Sequence, residues 1–382
     1  MVTVSREQQD AIRNLMHDSV SSGNLPPLYV AVSDRNGEIF MHQESSTSYS
    51  LPEDTVFWIC SQTKLITSIA ALQLIERGMI QLDTRVSDIL PELAEPSVQG
   101  SPAKHEITFG QLLNHTSGLK YTTSGPSYGA QVYQSNSEFL AKIRGSGLHQ
   151  SLKFEPGTDF AYGYSTDCMG FIIEKLSGQT LERYFEDNIF SPLGISSASF
   201  YLTPALKARS LPLHFRDGNN EIILWDHQTE IINQDPETLK VHLGGVGLYA
   251  SLQDYLALLR HLLQIQANKA TQPIMSKTSC DALFDPTLNE KAANSLAKML
   301  GLATGQVQFS CGLMIEMEDK TGRRKKGSGS WAGYACTSHF VDPTTGIAVV
   351  FGTQLLPSGD YDLAYERLWM EIEAALYKGL TA

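Results

Sequence analysis

No basic excess, no zinc-type cysteine spacing and no apolar run of membrane-spanning length occurs in these 382 residues. The formal net charge of -12 argues against a nucleic-acid or anionic-membrane surface, because phosphate-rich partners are held by clustered lysine and arginine. The five cysteines (Cys60, Cys168, Cys280, Cys311, Cys336) are scattered and odd in number, as reduced thiols would be, and they lack the paired spacing of a zinc site. A membrane helix needs roughly 18–20 apolar residues in a row. The amino-terminal segment, Met1 to Gly23, has instead a polar helical pattern with a stripe of Ile12, Leu15, Met16 and Val20, and no signal-peptide core. A cytoplasmic location is therefore expected. Internal repeats and low-complexity tracts are also missing, and 42% hydrophobic against 18% charged residues is the composition of an ordinary globular chain of one or two domains.

Strand patterning gathers at the two ends of the chain. Pro27 to Ser33 and Glu38 to His42 flank Asp34-Arg35-Asn36-Gly37, whose Asn-Gly pair predicts a hairpin turn with positive φ. The middle is loop-rich, with helical segments at Thr108 to Asn114, Ser137 to Ile143, Thr166 to Leu176, Thr180 to Phe190 and Ser251 to Gln264. Ser251-Leu252-Gln253-Asp254 has the form of a capping box with Asp in its fourth place. Strands return at Val307 to Met317, Gly333 to Val341 and Ile347 to Gln354, followed by an amphipathic helix from about Tyr361 to Tyr377. The expected class is α+β: an antiparallel sheet flanked by helices and built from residues 1–90 and 301–382, with a mainly helical domain, 91–300, inserted.

The most informative short motif is Cys60-Ser61-Gln62-Thr63-Lys64, an S-x-x-K tetrad at the start of a long apolar helix. Residues three apart on a helix share a face, so the Ser61 hydroxyl and the Lys64 amine can share a proton. A serine is a poor nucleophile until a base takes that proton, and a lysine amine can do so only where burial or a neighbouring charge brings it below its usual ~10.4. Leu65, Ile66, Ile69, Ala70, Leu72, Leu74 and Ile75 run nearly all round the following helix, which predicts burial. Its amino terminus offers free N–H groups to an oxyanion. By itself the tetrad is also what a solvent-facing pair looks like. A second constellation, Glu155-Pro156-Gly157-Thr158-Asp159-Phe160-Ala161-Tyr162-Gly163-Tyr164-Ser165-Thr166-Asp167, puts aromatics between a tight turn and a helix. A tyrosine held beside an ammonium can act as general base and later as general acid, although one tyrosine among fifteen is more commonly a core or rim aromatic.

These two motifs occur in order with Thr108-Phe109-Gly110-Gln111-Leu112-Leu113-Asn114-His115-Thr116-Ser117-Gly118-Leu119, with Gly244-Gly245-Val246-Gly247-Leu248-Tyr249 and with Trp331-Ala332-Gly333. In that order the chain resembles the class C β-lactamase-like serine hydrolases over most of its length. Trp331-x-Gly333 and the segment Gly352 to Asp360 make it most similar to their esterase and transesterase branch, that of the family VIII carboxylesterases and the fungal lovastatin-pathway acyltransferase. The resemblance implies a β-lactamase/transpeptidase-like fold, Ser61 as the acylated nucleophile, Lys64 as its proton partner and Tyr162 as second base. It also implies an oxyanion hole from the N–H groups of Ser61 and Tyr334, and neither metal nor cofactor. The partners it implies are a small-molecule acyl donor and an alcohol acceptor, with an acyl carrier protein as an alternative donor, and neither nucleic acid nor membrane. An acyltransferase of secondary-metabolite biosynthesis is the leading expectation. A carboxylesterase, a β-lactamase or DD-peptidase and a catalytically silent scaffold stay open.

Departures from the β-lactamases narrow the substrate. Their Y-x-N reads Tyr162-Gly163-Tyr164 here, and Trp331 stands where they carry a lysine that grips a carboxylate. Lys320-Thr321-Gly322 spells the same tripeptide, but Arg323-Arg324-Lys325-Lys326 follows it, a run expected at a solvated hairpin tip. Tyr164, Trp331, Gly333, Tyr121 and His339 are the expected lining of an acyl pocket, each aromatic also having a plain core reading. Cys60 is expected to be a small buried thiol, His115 a packed and hydrogen-bonded histidine, and the G-G-x-G run a place of close backbone approach beside the site.

Overall fold

A computed structural model of the chain describes residues 2–45, 51–121, 132–144, 151–227, 231–357 and 361–381. Its centre is a seven-stranded antiparallel sheet in the order Val307–Phe309, Met314–Glu316, Gly329–Gly333, Thr337–Asp342, Ile347–Gly352, Leu28–Asp34, Glu38–Glu44. Strands from both ends of the sequence meet at the pairing of Ile347–Gly352 with Leu28–Asp34, where Val350 faces Ala31. The fold class is α+β, as the patterning predicts.

Every residue of Leu28–Asp34 is buried, so both faces of the sheet are covered. On one face Val30, Val32, Val349 and Phe351 pack against the first helix, Arg6–Ser21, and the last, Leu363–Gly379; Trp369 lies parallel to Phe351 with ring centroids 5.3 Å apart. On the other, Tyr29, Ala31, Ala348 and Val350 join the larger core that includes helices Thr63–Glu76 and Leu252–Gln266. The period-2 alternation along one strand thus feeds two cores. Among the described residues no helix is long and apolar enough to cross a membrane.

Several local expectations change. The Asp34–Gly37 turn has no positive φ at Asn36 or Gly37. The Asp34 carboxylate instead accepts the amides of Asn36 at 2.7 Å and Gly37 at 3.1 Å, so a side chain closes the turn that the Asn-Gly signal assigned to backbone geometry. At Ser251 only half of the capping box forms: its hydroxyl accepts from Asp254 N at 3.1 Å, while the Asp254 carboxylate turns away to the amides of Ser196 and Ser197. The run Val307 to Met317 breaks into two strands, with Ser310 Oγ accepting from Leu313 N inside the break.

The basic run is the largest correction. Lys320 pairs with Glu316 at 2.8 Å, and Arg324, far from being solvated, is buried with its Nε and Nη2 donating at 2.8 Å to the two oxygens of the buried Glu373 on the last helix. Its guanidinium lies over the Phe340 ring, 4.6 Å from the centroid. Breaking one side of a buried ion pair costs about 3–5 kcal/mol, because the other charge is left behind. Arg324→Ala is expected to lower stability by that amount in urea unfolding, whereas the exposed Lys326→Ala stays within about 0.5 kcal/mol of wild type.

Candidate active site

Ser61 does not stand on the long helix itself. A 3-10 turn, Cys60–Gln62, precedes the helix Thr63–Glu76, and Cys60 takes a left-handed φ of 47°. That conformation costs a β-carbon-bearing residue roughly 1–2 kcal/mol, so the turn needs support from its surroundings. Gln62 supplies part of it: its side-chain amide meets His339 Nδ1 at 3.1 Å, and its carbonyl accepts the Tyr255 hydroxyl at 3.0 Å. The side chain of Gln354 brackets Trp58, accepting its N–H at 2.9 Å and donating to its carbonyl at 3.2 Å. This residue belongs to the Gly352 to Asp360 segment, of which 358–360 lie outside the described residues.

The strand end Gly329–Gly333 closes against the same turn. A β-carbon on Gly333 would come within 2.4 Å of both Ile59 O and Thr337 Oγ1, so only glycine permits the approach. That contact brings Tyr334 and Ala335 beside the nucleophile turn, close to Cys60. Burial pushes the Cys60 thiol up to about 12, with the backbone of Ala335, Lys64 and the backbone of Tyr334 acting against the rise. A thiol so placed is packing, not a nucleophile.

Lys64 is 2% exposed and is held on three sides. Its Nζ donates to Gly245 O at 2.8 Å, to Ser61 Oγ at 3.2 Å and to Tyr121 Oη at 3.3 Å, which accounts for all the donors of an ammonium. The carbonyl can only accept, so any proton that Lys64 gains or gives up within this set passes to or from Ser61 or Tyr121. Tyr162 meets the same amine through its ring face, 4.6 Å from Nζ to the centroid, and its hydroxyl accepts from Trp331 Nε1 at 3.1 Å. Tyr164 is 6% exposed and sits edge-on to Tyr121, 4.7 Å between centroids, and to Phe139.

The structure thus gathers Ser61, Lys64, Tyr121, Tyr162, Tyr164, Trp331 and the Gly333–Tyr334 peptide around one point. His339 lies apart from this wall, 1% exposed and packed on Tyr255 beneath the nucleophile turn. Burial pushes it down to about 3, so it is a neutral strut. His115 is packed as expected, 5.0 Å from the Tyr162 ring, but its Nδ1 has no hydrogen-bond partner among the described residues. Burial, with Lys64 nearby, drives it too down to about 3.

The close backbone approach expected of the G-G-x-G run falls at Gly245, while its partner, Asp167, is a residue to which sequence reasoning gave no role. Asp167, in the first turn of helix Ser165–Ser177, accepts the Gly245 N–H at 2.8 Å, and a β-carbon on Gly245 would lie 2.8 Å from the same carboxylate oxygen. The signal was available: an acid directly before the apolar run Cys168-Met169-Gly170-Phe171-Ile172-Ile173 is set to be buried. No cluster of metal-ligating side chains occurs among the described residues.

A family model described as Beta-lactamase matches residues 9–372. A lovastatin esterase of Penicillium rubens is 28% identical over 90% of this chain and 92% of its own, and a monacolin J acid methylbutanoyltransferase of Aspergillus terreus is 29% identical over 81% and 79%. Among solved structures, a variant of simvastatin synthase from Aspergillus terreus superposes with a TM-score of 0.80 at 24% identity, covering 98% of this chain and 95% of its own.

Proposed function

The chain belongs to the beta-lactamase family, and from that premise we propose that it is a serine acyltransferase, moving an acyl group from an ester or thioester donor to an alcohol of a small metabolite through an acyl-Ser61 intermediate. The observation that carries this reading is the 3.2 Å contact between Lys64 Nζ and Ser61 Oγ in a buried setting. Ser61 Oγ attacks the acyl carbon as its proton passes to the Lys64 amine, the backbone amides of Ser61 and Tyr334 take the oxyanion, and the leaving group departs with that proton, returned by Lys64, with Tyr162 as the second base beside it. The acceptor alcohol then repeats the sequence in reverse.

The choice of an uncharged acyl donor rests on what faces the serine. Trp331 occupies the place of a carboxylate-gripping lysine, and Lys320, the alternative cation, is committed to Glu316 at 2.8 Å. The named relatives supply the two chemistries to be separated, one an esterase and one a methylbutanoyltransferase. The decisive measurement is product analysis by mass after incubation with p-nitrophenyl, pantetheine-thioester and acyl-carrier-protein donors, each with and without a polycyclic alcohol. Ester is the expected main product when the alcohol is present, because a bound acceptor has a high effective concentration and displaces water. Free acid as the main product with every alcohol assigns the protein as a carboxylesterase instead.

A further inference from the structure

We propose that Asp167 is a positioning residue of the acyl-transfer site: it fixes the Gly245 peptide that receives Lys64, and it supplies the buried negative charge that stabilises Lys64 as it takes up the Ser61 proton. The inference rests on the acyl-Ser61 reading and deepens it. Gly245 is pinned at both of its polar groups, its N–H donating to Asp167 Oδ1 at 2.8 Å and its carbonyl accepting from Lys64 Nζ at 2.8 Å. The lack of a side chain at Gly245 lets the carboxylate come this close, since a β-carbon there would sit 2.8–2.9 Å from both Asp167 oxygens. The second oxygen, Oδ2, is fully buried and has no hydrogen-bond partner among the described residues. A buried acid without its full set of partners is costly to keep, which calls for a role beyond cohesion.

The groups around it are few. Lys64 comes from the nucleophile helix, Cys168 is its neighbour on its own helix, and His115 faces Lys64 from the preceding turn. Further along the same helix Glu174 is paired with His242 at 3.0 Å. Of these Lys64 is the charge that Asp167 feels: burial raises the carboxyl to about 6, and the Lys64 ammonium and the Gly245 N–H act against the rise. Proton uptake from Ser61 requires Lys64 to have first given up one of its own three protons; the transfer then restores a positive charge in a low-dielectric site, and an ionised Asp167 lowers the energy of that state, as a buried aspartate does for the imidazolium of a serine-protease triad.

The test is the rate of Ser61 labelling by a fluorophosphonate, with kcat/KM for a p-nitrophenyl ester, as a function of pH in wild type and Asp167→Asn. In wild type both rates are expected to rise through about 6 as Asp167 ionises. Asp167→Asn keeps an acceptor for the Gly245 N–H but not the charge. Its kcat/KM is expected to fall about 10–100-fold, by analogy with the loss of outer-shell partners of metal ligands, mainly in kcat, and its acid limb to vanish. Thermal stability moves the opposite way. The carboxyl is higher in the folded chain than its ordinary 3.8, so its favourable contribution is present below 3.8 and lost as pH rises through about 6; above that pH the neutral Asn variant is expected to have a higher Tm than wild type. Wild-type labelling without a break near that pH, or an Asp167→Asn variant that labels at the wild-type rate, overturns the inference. A wild-type protein that takes no label on Ser61 overturns the acyl-enzyme reading itself.

Discussion

Ser61→Ala is expected to abolish both the covalent acyl adduct and turnover, with a fall in kcat on the order of 10⁶-fold, the scale seen when a serine nucleophile is removed outright. The neighbouring thiol offers no rescue. Cys60 is buried and its thiol is pushed up to about 12, so at neutral pH it stays the unreactive thiol. Ser61, by contrast, is half-buried and within 3.2 Å of the Lys64 amine. Peptide mass spectrometry after brief exposure to a short acyl donor should find the added mass on the peptide at Ser61 in wild type and none in the variant. Since Cys60 and Ser61 fall on the same peptide, fragmentation has to separate them. An acyl group on Cys60 in the wild type refutes the serine mechanism.

How much of this was legible in the sequence depends on how local the determinant is. The helix after the tetrad, the strand of Leu28–Asp34 and the partnership of Ser61 with Lys64 rest on spacing of three or two residues, and these survive in the structure. Whether an element begins one turn early is set by tertiary contact: the closure of Gly333 on Ile59 and the grip of Gln62 and Gln354 make a 3-10 turn at Ser61 where helical periodicity continues the helix. Arg324 was misjudged for a related reason. Four adjacent cations read as a solvated tip, but the connection between Met314–Glu316 and Gly329–Gly333 carries one of them inward to meet Glu373, which lies 49 residues away in sequence. The burial of Asp167 is legible from the apolar run that follows it, but its partner is not, because the partner is a backbone N–H and backbone groups carry no residue signature. Tyr121 was legible as an aromatic near the site; that its hydroxyl meets Lys64 Nζ is a fact of packing alone.

Lys64→Met should cost far more activity than Lys320→Met, and the comparison tests which cation belongs to the chemistry. Methionine fills much of the buried lysine's volume, so loss of the amine is not confounded by a large cavity. What disappears is the donor that serves Ser61, Tyr121 and Gly245 together, and with it the only route by which the Ser61 proton leaves among the described side chains. Proton transfer by a positioned group contributes about 10²–10⁴-fold, and a nucleophile deprived of it is affected at every step, so kcat should drop by at least that factor. Lys320 lies in the turn before the Gly329–Gly333 strand, paired with Glu316, and its loss should alter stability with kcat near wild type. The phenols refine the same experiment. Tyr162→Phe keeps the ring face that Lys64 sits on but removes the hydroxyl that accepts from Trp331, and should lower kcat for all donors by about 10²–10⁴-fold if that hydroxyl carries protons. Tyr164→Phe removes a hydroxyl from a buried ring of the aromatic wall, and should change KM and donor preference by about 1 kcal/mol, the worth of one hydrogen bond. Steady-state kinetics on two donors of different acyl length decide it. Equal losses of kcat for Lys64→Met and Lys320→Met would restore β-lactam chemistry as the leading reading, and a collapse confined to Tyr164→Phe would move the second base from Tyr162 to Tyr164.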